Sequence, residues 1–125
     1  QRLPFGDRFF NATIPQLESR SLVLLIGKPI AYIAALMPRD ARFVAIAHEM
    51  VHPNETHRLA EKVRAIIAAH DGPLYVIEFT ANAPTHGWLL AAYQLARTAD
   101  GCRPIIDGSD YGPKQLCRLE RMIRR

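Results

Sequence analysis

The pentapeptide HEMVH is the stretch of this sequence whose residue types could perform chemistry most directly. Two histidines four positions apart share one face of a helix and bind zinc in many peptidases, where the glutamate between them activates the metal-bound water. In this chain those residues are His48, Glu49 and His52, but Pro53 follows immediately and would interrupt the helix. Zinc catalysis is therefore the alternative, and a loop with incidental histidines at the end of a strand is the interpretation we favour.

The residues that precede and follow this motif bear on that choice. Arg42–Ala47, RFVAIA, has the composition of a strand, although its apolar residues also fit helical spacing. A zinc site would also need a third ligand, for which Glu61 and Glu78 are available. His57 is one residue short of the metzincin spacing. We expect no cofactor, with zinc as the alternative.

Gly27 and Lys28 invite comparison with phosphate-binding loops. The P-loop pattern fails, because Leu22 stands where its first glycine should be and Pro29 stands where it needs Ser or Thr. The dinucleotide fingerprint fails as well, since Gly27 is the only glycine in this turn and the fingerprint needs three. We therefore expect Gly27 to serve a tight turn.

Continuous apolar runs predict strands that are buried on both faces, as in parallel sheets. Leu22–Ile26 and Leu74–Phe79 are such runs, and Arg42–Ala47 lies between them. Glu78 is anomalous inside the last run, so we expect it to face a sheet edge or a polar partner. Two closing strands, Arg103–Ile106 and Gln115–Leu119, flank a glycine-rich turn.

Three helices are predicted between the first strands and the closing pair. They are Pro29–Met37, a helix from Asn54 to His70 with one apolar stripe, and a helix that Thr85 caps and Asp100-Gly101 ends. Trp88 lies at the start of the last helix and is expected in the core rather than as a stacking platform.

This order predicts a small α/β domain of the Rossmann-like or flavodoxin-like three-layer kind. Its sheet would be mainly parallel, with a C-terminal antiparallel hairpin. We expect one domain over residues 1–125, with an N-terminal arm at 1–20, a βαβαβα unit at 21–101 and the closing hairpin at 102–125.

Ligands of open α/β sheets bind beyond the carboxyl ends of the strands. The candidate ligand-binding residues at that edge are Gly27, Lys28, His48, Glu49, Thr80, Asn82 and, in the hairpin turn, Asp107. The competing interpretation is that these are ordinary polar loop residues. No catalytic residue is assigned from the sequence.

Cys102 and Cys117 flank the turn DGSDYG. If this turn is the tip of a hairpin, the two cysteines occupy near-mirror positions on antiparallel strands, which suits a disulfide and an oxidising compartment. The alternative is a pair of buried free thiols.

Composition excludes several classes of protein. The chain has 125 residues, 49% of them hydrophobic, and a net charge of +4, which is typical of one globular domain. Its arginines are scattered rather than interleaved with aromatics, so we expect no nucleic-acid partner. The chain begins at Gln1 and its longest apolar run is broken by Lys28 and Pro29, so we expect a processed chain or fragment without a membrane span of its own.

The segments FFNATIP and SLVLLIGKPIAYIAALMPRDARFVAI resemble the C-terminal soluble region of bacterial inner-membrane glycosyltransferases. That family includes protein mannosyltransferases and aminoarabinose transferases, which use polyprenyl-phosphate sugars. The cysteine segments CRPIID and QLCRLER also resemble the end of such proteins.

The resemblance implies a periplasmic α/β domain at the bacterial inner membrane. Its partner would be the transmembrane portion of the same polypeptide, and it could contact a glycan or a lipid-linked sugar. The catalytic acidic residues of that family lie in the membrane portion, so none is carried over to this chain. The alternatives are a small zinc hydrolase and a stand-alone ligand-binding module.

Overall fold

The computed structural model describes residues 17–27, 41–46, 53–105 and 112–122, and for residues 53–60 it describes the backbone alone. The described residues form strands and helices that we number in chain order. The strands are β1 (Leu22–Ile26), β2 (Arg42–Ile46), β3 (Leu74–Phe79), β4 (Leu95–Ile105) and β5 (Lys114–Arg121). The helices are α1 (Pro53–Ala69) and α2 (Ala83–Ala92), and a short 3₁₀ turn (Thr80–Asn82) precedes α2. Three predicted features lie outside the described residues: the N-terminal arm as far as residue 16, the predicted helix Pro29–Met37, and the candidate site residue Asp107.

The five described strands form one sheet in the order β2-β1-β3-β5-β4. β1 pairs in parallel with β2 on one side and with β3 on the other. β5 pairs antiparallel with both β3 and β4, which confirms the C-terminal hairpin. The protein is therefore mixed α/β, but its sheet is mixed rather than mainly parallel, because the closing hairpin extends the sheet instead of only bordering it.

The core lies on both faces of this sheet. All five residues of β1 are at most 1% exposed, as its continuous apolar sequence predicts. On one face, Leu24 and Val76 belong to a core cluster that includes residues of both helices, and we call this the helix face. On the opposite face, Leu25 and Ile77 belong to a second cluster. Alternate side chains of β1 and β3 therefore supply two separate cores.

Helix α1 agrees with its predicted apolar stripe. Val63 and Ile67 are buried, and Ile66 packs against them on the helix face. The helix ends at Ala69, before Gly72 and Pro73, where the sequence predicts its end.

Helix α2 is shorter than predicted. It begins at Ala83, with Asn82 rather than Thr85 in the N-cap position, and ends at Ala92. Gln94 adopts the left-handed conformation, with φ of 59°, and the chain then enters β4 at Leu95. The Asp100-Gly101 signal lies inside β4, at the register shift between Arg97 and Cys102.

Trp88 does not lie in the core. Its side chain is 54% exposed, whereas Leu89 and Leu90 are buried against the sheet. Because each helical residue advances by about 100°, the two leucines and His86 fix the inward side of α2 and leave Trp88 outside it. The expectation of a core tryptophan is therefore wrong.

Cys102 and Cys117 form a disulfide across directly opposed positions of β4 and β5. Cys117 is buried and Cys102 is exposed. Gly101 is required beside this link, because a Cβ there would collide with Thr98 and lie 2.9 Å from the Cβ of Arg118. The predicted pairing of the two cysteines is confirmed.

Candidate functional site

The carboxyl ends of the three parallel strands meet at one edge of the sheet. The register pairs Ile26 with Ile46 and Leu25 with Ile77. Gly27, directly after β1, has φ of 117°, and its N–H donates to the carbonyl of Ile46 at 2.8 Å. Such a φ is strained for any residue with a Cβ, so Gly27 serves the tight turn that its sequence context predicts.

Several predicted site residues cannot be placed at this edge. Lys28, His48, Glu49 and His52 lie outside the described residues, so the ligand-binding role of the first three and the zinc alternative remain predictions. Among the residues that the structure does describe, no group of three or more His, Cys, Asp or Glu side chains is arranged to hold a metal ion.

Thr80 and Asn82 lie where the sequence places them, directly after β3. Both are exposed, and they belong to the 3₁₀ turn that leads into α2. The N–H of Thr80 donates to the carbonyl of Pro113 at 3.0 Å, which fixes this turn beside the start of β5. The side chain of Asn82 makes no capping hydrogen bond although it occupies the N-cap of α2.

Among the described residues of this edge, the most extensive hydrogen bonding surrounds Glu78, which is fully buried on the helix face. Its Oε1 accepts hydrogen bonds from His86 Nδ1 and Arg97 Nη2, both at 2.8 Å. Its Oε2 accepts hydrogen bonds from Arg97 Nε and Gln115 Nε2, also at 2.8 Å. We call these four residues the Glu78 cluster. A polar partner for Glu78 was expected, and the structure supplies three.

Each member of the Glu78 cluster comes from a different element. Glu78 lies on β3, directly opposite Gln115 of β5, while Arg97 comes from β4 and His86 from α2. Arg97 Nη2 also donates to the carbonyl of Ala83 at 2.8 Å, in the first turn of α2. The cluster therefore connects the start of α2 to three adjacent strands.

The environment of Glu78 determines its charge. Burial alone would raise the pKa of this carboxyl group, but the hydrogen bonds from His86, Arg97 and Gln115, together with the charge of Arg97, outweigh burial and lower its pKa to about 2. The carboxyl group is therefore ionised at neutral pH. A carboxylate has about four lone-pair directions, and here four donors occupy them.

This arrangement suits anchoring better than acid–base chemistry. A general acid or base works best when its pKa lies near the operating pH, and the pKa of Glu78 is far below it. Since Glu78 Oε1 accepts a hydrogen bond from His86 Nδ1–H, it also fixes the tautomer and orientation of that imidazole. The chemical consequence is a rigid connection between α2 and the sheet.

Sequence reasoning identified Glu78 but missed His86, Arg97 and Gln115. A charge in the middle of an apolar strand requires a buried counter-charge, and this requirement is the signal that could have prompted a search. Gln115 could have been found from the hairpin register, whereas Arg97 was assigned to a helix and His86 showed no pattern of its own.

A second buried residue of a charged type lies at the same edge, on the opposite face of the sheet. Lys114 is 1% exposed and lies directly opposite Phe79 in the β3–β5 register. Its Nζ is 5.3 Å from the centre of the Phe79 ring and 3.4 Å from the carbonyl oxygen of Gly112. The aromatic face and the carbonyl both favour a positive charge there.

Comparison with protein families, curated proteins and solved structures found no match to this chain. The resemblance to membrane glycosyltransferases therefore rests on its residues alone. In the described part of the chain, no helix is long and apolar enough to cross a membrane.

Proposed function

We propose that this chain is an accessory domain of a membrane-bound glycosyltransferase that uses lipid-linked sugar donors. In this proposal the domain lies on the periplasmic side of the bacterial inner membrane and contacts the transmembrane portion of the same polypeptide. It contributes no catalytic residue of its own. Its polar carboxyl edge, including Thr80 and Asn82, is available for a glycan or a sugar donor.

The proposal rests on the hydrogen bonding and the ionisation of Glu78. Sugar transfer requires an acid or a base whose proton affinity suits the reaction, and acidic residues at a sheet's carboxyl edge are natural candidates. Glu78 is the buried acid at that edge, yet four donors hold its carboxylate and its pKa is about 2. Such a group supports a scaffold role.

The disulfide between Cys102 and Cys117 is weakly compatible with the proposed compartment. Structural disulfides persist in the bacterial periplasm and are rare in the cytosol. The loop that this disulfide closes spans 15 residues, for which the chain-entropy treatment gives about 3 kcal/mol of stabilisation.

The finer Rossmann-like classification is also part of the proposal. Its support is the order β2-β1-β3, in which parallel neighbours flank the first strand on both sides. Doubly wound sheets of the flavodoxin type begin with the same order. The antiparallel β5 and β4 are then an extension of that unit at one side.

A transfer assay tests the proposed function. The full-length protein in membranes should transfer sugar from a polyprenyl-phosphate donor, and deletion of this domain should reduce that transfer. The purified 125-residue chain should transfer nothing above background. Transfer or donor hydrolysis by the isolated chain would contradict the proposal, as would full-length activity that is unaffected by the deletion.

The zinc-hydrolase alternative is decided on the same purified chain. Elemental analysis should find no stoichiometric zinc, and His48→Ala should leave the chain's thermal stability in the presence of zinc unchanged. Stoichiometric zinc that is lost in that variant would favour the hydrolase.

A further inference from the structure

A cleft of about 230 Å³ opens at the amino edge of the parallel strands, at the other end of the sheet from the Glu78 cluster. It is lined by Arg20, Arg42, Ala69, His70 and Asp71. We call it the amino-edge cleft. These residues come from the segment before β1, the start of β2 and the connection from α1 to β3.

The backbone holds these three segments together. The N–H of Arg42 donates to the carbonyl of Ser21 at 2.8 Å, and the N–H of Leu22 donates to the carbonyl of Pro73 at 2.9 Å. The cleft is therefore bordered by the fixed beginnings of strands rather than by a long loop, which favours a defined geometry for its side chains.

Two arginines make the cleft basic. Arg20 and Arg42 are both exposed. Arg20 Nη2 donates to the carbonyl of Asp71 at 2.9 Å, which holds the guanidinium beside another lining residue. Among the described residues, no hydrogen bond or ion pair holds the guanidinium of Arg42. The carboxylate of Asp71 is the single negative charge among the lining residues, so the net charge of the lining is positive.

His70 contributes a buried ring nitrogen, Nε2, that has no hydrogen-bond partner among the described residues. Its side chain lines the cleft and is only 8% exposed. Buried polar atoms without partners are uncommon because they lose their bonds to water, and a bound water or ion is one group that can complete them.

Close packing fixes the position of Arg20. This residue adopts a left-handed conformation, with φ of 60°. A Cβ on Gly72 would lie 2.6 Å from the carbonyl oxygen of Arg20 and 3.0 Å from His70 Nε2. Only glycine at position 72 therefore fits between the turn that carries Arg20 and the imidazole of His70.

We propose that the amino-edge cleft binds a phosphate group carried on a hydroxylated molecule, such as a sugar phosphate. Arg20 and Arg42 hold the phosphate oxygens, because the planar guanidinium matches phosphate geometry. Asp71 accepts a hydrogen bond from a neighbouring hydroxyl group. The volume is below the roughly 300–1,000 Å³ of pockets for drug-sized ligands, so it suits one phosphate with part of a sugar ring. The inference does not depend on the glycosyltransferase proposal.

NMR titration of the isotope-labelled chain with inorganic phosphate, glucose 1-phosphate and glucose tests this inference. The two phosphates should shift the resonances of His70 and Asp71, and glucose alone should not. Arg42→Gln should weaken phosphate binding about tenfold, as expected for the loss of a charge-assisted hydrogen bond. Arg103→Gln is the matched control, since it removes the same charge from an exposed position on β4, and it should leave the affinity unchanged.

Two outcomes would overturn the phosphate site. One is the absence of shifts at His70 and Asp71 with either phosphate. The other is an equal loss of affinity in the Arg42 and Arg103 variants, which would indicate a nonspecific charge effect. Both variants change exposed side chains, so circular dichroism should show unaltered folding.

The hydroxyl contact and the source of the phosphate are tested separately. Asp71→Ala removes the acceptor and should abolish the preference for glucose 1-phosphate over inorganic phosphate. Equal affinities for the two ligands already in the unaltered chain would overturn the role of Asp71. Cosedimentation with phosphatidylcholine vesicles, with and without phosphatidic acid, distinguishes a lipid phosphate from a soluble one. Binding to the acidic vesicles without binding to glucose 1-phosphate would overturn the sugar phosphate in favour of a lipid headgroup.

Discussion

The polar side chains at the two edges of the parallel strands differ in burial and in hydrogen-bond pairing. At the carboxyl edge, Glu78 is fully buried and four hydrogen bonds hold its carboxylate. At the amino edge, His70 Nε2 has no hydrogen-bond partner among the described residues. Arg42 lines the cleft at this edge, and among the described residues no ion pair holds it. The buried charge at the carboxyl edge is fully paired by neighbouring side chains, whereas polar groups at the amino edge lack partners among the described residues.

The physical cause of this difference is burial. A buried carboxylate without partners would cost far more stability than a domain possesses, so the fold must satisfy it completely. An exposed arginine remains hydrated and needs no partner. The comparison teaches that the residue most conspicuous in the sequence, Glu78, is used for stability, while ordinary surface arginines border the open cleft.

The largest expected effect comes from neutralising Glu78. Glu78→Gln places an amide NH₂ against the donors of Arg97 and Gln115 and leaves the charge of Arg97 without its partner. We expect the free energy of unfolding to fall by about 3 kcal/mol, the lower end of the range for broken buried ion pairs, since Arg97 is 22% exposed. Urea denaturation measures this change.

The control for that substitution is Glu120→Gln, on the exposed end of β5. It removes the same charge from the surface and should alter the free energy of unfolding by no more than about 0.5 kcal/mol. Equal effects of the two substitutions would show that the Glu78 cluster is not the stabilising element we describe.

Acid titration should reveal the same cluster. The pKa of Glu78 is lowered from 4.5 to about 2 in the folded protein. Its contribution to the free energy of unfolding is therefore fully present above pH 4.5 and is lost as the pH falls through about 2. That shift corresponds to about 3 kcal/mol. Denaturation at a series of acidic pH values should show this loss in the unaltered chain and a flatter profile in the Glu78→Gln variant. Parallel profiles for the two proteins would contradict the assignment.

The smallest expected effects come from a pair of glycine substitutions. Gly72→Ala forces a Cβ to 2.6 Å from the carbonyl of Arg20, so it should destabilise the chain by about 1–3 kcal/mol, as overpacking does. Gly87→Ala is the matched control, because a Cβ there meets nothing within 4 Å and alanine favours a helix. It should stabilise the chain by about 0.5–1 kcal/mol.

Thermal unfolding, monitored by circular dichroism, measures the stability change of each glycine variant. The two changes should have opposite signs. The Gly72 variant should also lose phosphate binding at the amino-edge cleft, because Arg20 would have to move. If that variant were as stable as the unaltered chain, the close packing of Gly72 against the Arg20 turn would be disproved.

Much of the fold was predictable because the decisive signals are local. Five consecutive apolar residues at Leu22–Ile26 and six residues at Leu74–Phe79 form strands with those bounds. The apolar stripe that includes Val63 and Ile67 gave α1, which ends before Gly72. In each case the spacing of apolar residues in the sequence matches the spacing of buried positions in the strand or helix, so the sequence predicts the element.

The errors arose where tertiary contacts override local signals. Asp100-Gly101 looks like the end of a helix, but Leu95 pairs with Arg121 and draws the chain into β4 several residues earlier. Trp88 is outside the core because Leu89 and Leu90 occupy the inward side of a short helix. Helix propensity predicts neither the early end of α2 nor the exposure of Trp88. The first depends on pairing between β4 and β5, and the second on which side of α2 packs against the sheet.

The sequence by itself determined that this is an α/β domain with a buried first strand, a closing hairpin that carries a cysteine on each side, and an anomalous glutamate in its third strand. The tertiary structure decided that the sheet is mixed and that His86, Arg97 and Gln115 surround Glu78. It also brought Arg20, Arg42 and His70 together at the other edge, although Arg42 and His70 are far apart in the chain. Burial periodicity is encoded locally, whereas the pairing of charges depends on strand order and register, which only the folded chain fixes.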